Sequence, residues 1–254
     1  HTEIFFDTQT HTGHGLSAEV VINGLYRACA DAPAKFGMTA SLILCFLRHL
    51  SEEEAFECLE QALPLRDKIV GIGLASSEVG HPPEKFAKVY ARARELGFRL
   101  VAHAGEEASP AYIWSALDVL KVERIDHGVQ AIHDAALMQR LAADKMPLTV
   151  CPLSNLKLRV FPTLAQHNLK QMLDARIMAT VNRCNGISAL APHAKALARA
   201  LQDVGVATQK AWSTGVPGEA LANAVPYMQA FGHTVLAWIW LDVAGCALDN
   251  DPQQ

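Results

Sequence analysis

"FRLVAHAGEE", residues 98–107, is an apolar run that reads as a buried strand, yet it ends in His103 and, three positions later, Glu106. Polar groups at the mouth of a buried strand are costly unless they have partners or a task. Similar apolar runs recur at residues 3–6 (EIFF), 40–46 (ASLILCF), 69–74 (IVGIGL), 99–103 (RLVAH), 124–127 (RIDH), 147–151 (PLTVC) and 177–181 (IMATV), which predicts seven strands. Helix signals fall between them: Ser51 with Glu54 makes a capping box, Pro82 and Pro83 open a helix that Gly97 closes, and Pro110 opens another. Alternation of strand and helix implies a parallel sheet, and continuously apolar strands imply that both faces are covered.

The strand ends choose between the two folds of this kind. Asp7 with Gln9 and His11, Arg48 with His49, Ser76 to Glu78, His103 with Glu106, Asp126 with His127, and Ser154 with Asn155 all follow directly on apolar runs. In a TIM barrel such positions converge on one face, where the active site lies. A doubly wound sheet would concentrate function at one switch point, and its glycine fingerprint fails because "GIGLAS" has Ser76 at the third glycine. The expectation is an α/β fold, a TIM (β/α) barrel short of one strand.

Composition narrows the partners. Half of the 254 residues are hydrophobic and the formal net charge is −4, with no basic face for nucleic acid or an anionic membrane. The six cysteines lie mostly in apolar stretches and form no close pair, which suits reduced thiols and a cytoplasmic protein. No signal peptide is evident, and the apolar window at residues 235–248 contains Asp242 and is too short to span a bilayer, so no membrane role is expected. The chain begins at His1 rather than Met, and an upstream piece is expected.

"VAHAGEE", "RIDHGV" and "VCPLSN", in this order with helices between, resemble the adenosine and adenine deaminases of the metal-dependent amidohydrolase barrels. "SSEVGHPPEKF" (residues 76–86) and "FFDTQTHTGHG" near the start point to the adenine deaminase branch, and the resemblance covers roughly residues 1–182. It implies zinc-dependent hydrolytic deamination of a small purine, adenine to hypoxanthine and ammonia, because a bound divalent cation makes hydroxide available at neutral pH. By resemblance His103 is a metal ligand, Glu106 protonates the purine ring nitrogen beside the attacked carbon, and His127 orients the hydroxide. Gly105 lets the backbone approach the flat base, and Glu78 sits in the loop that separates adenine from its nucleoside. Ser154 and Asn155 also read as a turn former, and His11 and His14 as loop. The other zinc deaminase signature, H-x-E with P-C-x-x-C, is not met.

Two departures follow from the resemblance. The family's first strand ends in a His-x-His pair that supplies two metal ligands, and no such pair precedes residue 3. Its last strand runs T-V-N-S-D-D-P, whereas this chain reads "TVNRCNG" at residues 180–186, so Cys184 replaces the metal-binding Asp and Asn185 the purine-binding one. A thiolate can bind zinc and an amide can hydrogen-bond a purine nitrogen. With His103 and Cys184 as ligands the site is short of three, and impaired activity is expected.

From residue 186 onward the pattern changes. Leu190, Ala194, Leu197, Leu201 and Val204 form one helical stripe, and residues 219–244 resemble the C-terminal helical region of acyl-CoA dehydrogenases, where such helices pack and assemble subunits. The expected organisation is a partial adenine deaminase-like barrel over residues 1–185 and a helical segment over residues 186–254 through which an oligomer forms. Two other readings remain open: an inactive scaffold or helical interaction module, and an acyl-CoA dehydrogenase-related assembly fragment.

Overall fold

A computed structural model describes residues 1–211, 213, 216 and 224–249. The chain divides into two compact units, His1–Leu169 and Lys170–Gln254, earlier than the boundary expected near residue 185. The first five residues of the 219–244 stretch lie outside the described residues.

In the first unit six parallel strands pair in sequence order: β1 (Thr2–Phe6), β2 (Ala40–Leu47), β3 (Ile69–Ala75), β4 (Arg99–Ala104), β5 (Arg124–His127) and β6 (Leu148–Thr149). Between them run α1 (Gln9–Thr12), α2 (Ala18–Phe36), α3 (Glu52–Ala62), α4 (Ala87–Glu95), α5 (Pro110–Ser115) and α6 (Ala135–Ala143), and α7 (Pro152–Lys157) follows β6. The Ser51–Glu54 capping box forms at the start of α3, with both reciprocal hydrogen bonds made.

Period-2 alternation sorts each strand into two faces. Leu44, Phe46, Ile72, Leu74, Leu100, Ala102 and Ile125 face the helices and share one core with Ile22, Leu59, Phe86, Tyr90 and Ile113. Ile43, Cys45 and Val101 form a smaller cluster on the other face with Phe5 and Ala75. Gly73 makes that face possible, since a Cβ there would lie 2.6 Å from Cys45 Sγ.

The sheet curls. In a flat sheet β1 and β5 would lie roughly 19 Å apart, four strand spacings. Arg124 on β5 nevertheless ion-pairs with Glu3 on β1, and its guanidinium stands 5.4 Å from the centre of the Phe5 ring. The architecture is therefore an open half-barrel. β1 pairs with β2 alone and β6 with β5 alone among the described residues.

Two strand expectations are corrected. The run at residues 147–151 keeps only a two-residue strand, because its single neighbour β5 is four residues long and Pro152 starts α7 at once. The run at residues 177–181 is not a strand: it lies inside α8 (Leu169–Asn185) of the second unit. Its neighbours explain this. Leu173, Ile177, Val181 and Cys184 recur at helical spacing and pack with Leu197, Leu201 and Leu241. The latter belong to α9 (Ala191–Ala211) and α10 (Ala224–Asp249).

α10 is longer than the apolar window read from the sequence, and Val225–Leu248 is long and apolar enough to cross a membrane by length and composition. Within the unit it packs on protein. Asp242 takes Arg183 Nη2 at 2.7 Å, Arg176 Nη2 at 3.2 Å and Thr180 Oγ1 at 2.9 Å, and Trp238 Nε1 donates to Thr180 Oγ1 at 2.9 Å.

The helical state of residues 177–181 is testable at Met178, which is exposed. Met178→Gly should lower stability by about 1 kcal/mol relative to Met178→Ala in urea unfolding, the difference that a helix interior imposes on glycine. Equal stability of the two variants would contradict the helix.

Candidate active site

The β4–β5 register builds the site. His103 lies opposite Asp126 and Ala104 opposite His127, so His103 and Asp126 share the inner face at the C-terminal end of the sheet. The His103 and His127 ring centres are 5.0 Å apart, and Phe5 packs edge-on against His103 at 5.2 Å. His127 adopts φ +70, a left-handed conformation that a non-glycine residue holds only when its surroundings require it.

After Ala104 the chain turns sharply. Gly105 has φ +66, and a Cβ on it would meet Ile113 Cδ1 at 2.4 Å, so both backbone and packing require glycine. The turn swings Glu106 back over the strand ends. Its Oε1 accepts from Asn155 Nδ2 at 2.9 Å and lies 3.3 Å from His127 Nδ1. Asn155, on α7, is fully buried; its Nδ2 is also 3.3 Å from His127 Nδ1, and its Oδ1 is 3.0 Å from His167 Nε2. One amide thus touches the carboxyl and both imidazoles.

Burial sets the protonation states. Removal from water pushes the Glu106 carboxyl up to about 7, partly opposed by the Asn155 hydrogen bond, while the charges of Glu107 and Glu78 add to the rise. Burial also pushes His127 down to about 4, aided by His103, and His103 down to about 4, aided by the Arg48 charge. At neutral pH both imidazoles are neutral, and Glu106 is poised between acid and carboxylate. Asp126 is buried as well. Its Oδ1 accepts from Arg124 Nε and Thr149 Oγ1, each at 2.9 Å, while Oδ2 and His103 Nδ1, 3.7 Å apart, are both buried without a hydrogen-bond partner.

The remaining expected residues are placed differently. Glu78 lies beneath the Glu106 turn rather than open to a ligand, because four main-chain N–H groups fill its carboxylate: Gly105 at 2.5 Å on Oε1, and Glu106 at 3.0 Å, Glu107 at 2.7 Å and Ala108 at 3.0 Å on Oε2. Cys184 and Asn185 close α8 in the second unit instead of ending a strand. The Cys184 thiol is buried and donates to the Leu241 carbonyl at 3.6 Å, and Asn185 is exposed. Among the described residues no three His, Cys, Asp or Glu side chains are grouped to hold a metal ion. Asn155 and Asp126 stand among the polar strand-end residues of the sequence, where neither has an assigned role. Asn155 sits in a motif that also forms turns, and only its complete burial beside two titratable groups marks it.

A curled parallel sheet with histidines at its C-terminal edge makes this a half-barrel of the amidohydrolase class. The chain belongs to the adenosine deaminase family, whose model matches residues 1–190. A second model, described as acetyl-CoA dehydrogenase C-terminal like, matches residues 173–254. Adenine deaminase of Albidiferax ferrireducens is 79% identical over 182 residues, covering 72% of this chain and 53% of the relative; that of Acinetobacter baylyi is 62% identical over 182 residues, with 72% and 55% covered. The crystal structure of adenine deaminase from Arthrobacter aurescens superposes with TM-score 0.66 at 51% identity, covering 67% of this chain and 52% of that one. An amidohydrolase from Burkhoderia ambifaria with bound Zn superposes with TM-score 0.63 at 30% identity, covering 68% and 50%. The chain spans about half the length of the curated relatives it matches.

The Glu106 shift has a signed consequence for stability. Its carboxyl is raised from 4.5 to about 7, so the stabilisation it brings is complete below pH 4.5 and is lost as pH rises through about 7. Glu106→Gln stays neutral and escapes this loss. Urea unfolding should show the variant gaining on the wild type between pH 4.5 and 7; the loss from His103 and His127, which falls between pH 6.5 and about 4, is common to both proteins and cancels. Asn155→Ala should move the Glu106 midpoint above about 7, read from its carboxyl carbon shift, because the donor that holds it down is removed.

Proposed function

We propose that the chain carries the proton-handling part of an adenine deaminase site: hydrolytic replacement of the amino group of adenine by oxygen, giving hypoxanthine and ammonia. The observation that carries this reading is the buried contact of Glu106 with Asn155 and His127 at the ends of β4 and β5. A carboxyl raised to about 7 holds a proton at neutral pH and can deliver it to a ring nitrogen, and the imidazole beside it stays neutral and can orient the attacking nucleophile by a hydrogen bond. Such a pair suits a reaction that protonates a heteroaromatic ring while a polar nucleophile adds. Relatives named adenine deaminase support adenine as the substrate.

Zinc is the cofactor we assign to the complete activity, on the strength of the family and of the zinc-bound amidohydrolase neighbour. The described residues do not fit it alone: His103 and Asp126 are two donors, and a catalytic zinc takes three protein ligands. We therefore read residues 1–254 by themselves as impaired, with the deaminase part ending near residue 185, a helical part from residue 186 that assembles subunits, and action in the cytoplasm on a small purine. An inactive scaffold is the second reading, favoured by the same shortage of metal donors.

The test is a chimera in which residues 1–168 replace the matching segment of the Albidiferax ferrireducens enzyme. It should release ammonia from adenine in preference to adenosine, and Glu106→Gln in it should lower kcat by about 10²–10⁴-fold while zinc content is kept. Greater turnover of adenosine would remove the adenine assignment. The unmodified chain, dialysed against micromolar zinc, should hold less than one zinc per chain and release no ammonia. Stoichiometric zinc with turnover abolished by His103→Ala would overturn the impairment.

A further inference from the structure

The turn that carries Glu106 is held by two buried charges of opposite sign. Arg48, at the end of β2 and wholly buried, donates from Nε to the His81 carbonyl at 2.8 Å and from Nη1 to the His103 carbonyl at 2.7 Å. Glu78, after β3 and 3% exposed, takes the four consecutive N–H groups of residues 105–108. The arginine thus satisfies the carbonyl that enters the turn, and the glutamate satisfies the amides that leave it.

The four donors divide unevenly, one on Oε1 and three on Oε2, so the Oε2 atom alone gathers the amides of residues 106–108. Neither partner is replaceable by a neutral isostere. A glutamine at position 78 would direct an NH₂ group at main-chain N–H groups, and a buried carboxylate without those donors would be strongly disfavoured. Hydrogen bonds to a charged acceptor are the stronger kind, so the turn has one favoured path while Glu78 is in place. The Glu106 amide is one of the four donors, and the side chain leaving that residue is the one that meets Asn155 and His127.

We infer that Glu78 is a positioning residue of this site: its carboxylate, opposed across the turn by Arg48, shapes residues 105–108 so that the Glu106 carboxyl is held against Asn155 and His127. The catalytic meaning of that placement rests on the deaminase reading given above, while the placement itself does not. Glu78 is accordingly a group that acts through Glu106, with both carboxylate oxygens engaged by the main chain.

The experiment uses the isotopically labelled full chain and two variants, Glu78→Gln and Glu78→Asp. In the wild type the amides of Gly105, Glu106, Glu107 and Ala108 should show couplings across the hydrogen bond to the Glu78 side-chain carboxyl carbon. In Glu78→Gln their hydrogen exchange should rise by at least about tenfold, the loss of protection expected for a bond to a charged acceptor, while amides of β2 and β3 keep their rates. The Asn155 side-chain amide resonance should shift, because Glu106 leaves it. Glu78→Asp, which keeps the charge on a shorter arm, should restore part of both. Exchange that rises together across β2, β3 and the turn with Asn155 unmoved would show a role in stability only and overturn the proposal. Should Glu78→Gln not fold, the wild-type couplings and Glu78→Asp decide, and absence of the couplings overturns it. Failure of the deaminase reading would appear separately, in the chimera, as ammonia release from adenine that Glu106→Gln leaves unchanged.

Discussion

The parallel register of β4 against β5 is the constraint on which the site depends. It sets His103 beside Asp126 on the inner face and brings the chain out of β5 at His127, directly opposite Ala104. From that point only a left-handed residue can turn Glu106 back toward His127, and Gly105 is that residue. A shift of β5 by one position in this ladder would move Asp126 to the helix-facing side and separate its carboxyl from the His103 imidazole. The unusual backbone of His127 is part of the same geometry, since φ +70 aims its ring at Glu106 rather than along the strand.

So many buried polar groups are tolerable because nearly all have partners. Glu78 accepts from four amides, Arg48 donates to two carbonyls, Asp126 accepts from Arg124 and Thr149, and Glu106 accepts from Asn155. Burial adjusts protonation as well: the two histidines stay neutral and the glutamate keeps its proton into the neutral range. The exceptions in this region are Arg48 Nη2 and the pair His103 Nδ1 and Asp126 Oδ2, which face each other at 3.7 Å without a hydrogen bond. Buried atoms without partners mark the place where the site's chemistry is incomplete in isolation.

Much of this was legible in the sequence. Strand and helix alternation gives the parallel sheet, and polar residues after apolar runs give the functional edge, because both follow from local pattern. The roles of Glu78 and Asn155 were not legible in the same way. Glu78 acts through main-chain amides at positions 105–108, and nothing in a side-chain pattern records which backbone groups a loop 27 residues away will present. Asn155 has the composition of a turn and becomes a site residue only through burial, a property of the assembled unit.

Residues 177–181 show why the last element escaped local reading. The deaminase and acetyl-CoA dehydrogenase C-terminal like models overlap on residues 173–190, so one segment is claimed by two patterns. As a strand it would require a hydrogen-bonding neighbour in the sheet; as a helix it satisfies its backbone internally and needs only an apolar face to cover. Leu173, Ile177, Val181 and Cys184 supply the stripe, α9 and α10 supply the cover, and Asp242 binds the polar side chains of Arg176, Thr180 and Arg183 on the same helix. The conformation of residues 169–185 is thus decided by the helices that follow, and with it the placement of Cys184 and Asn185.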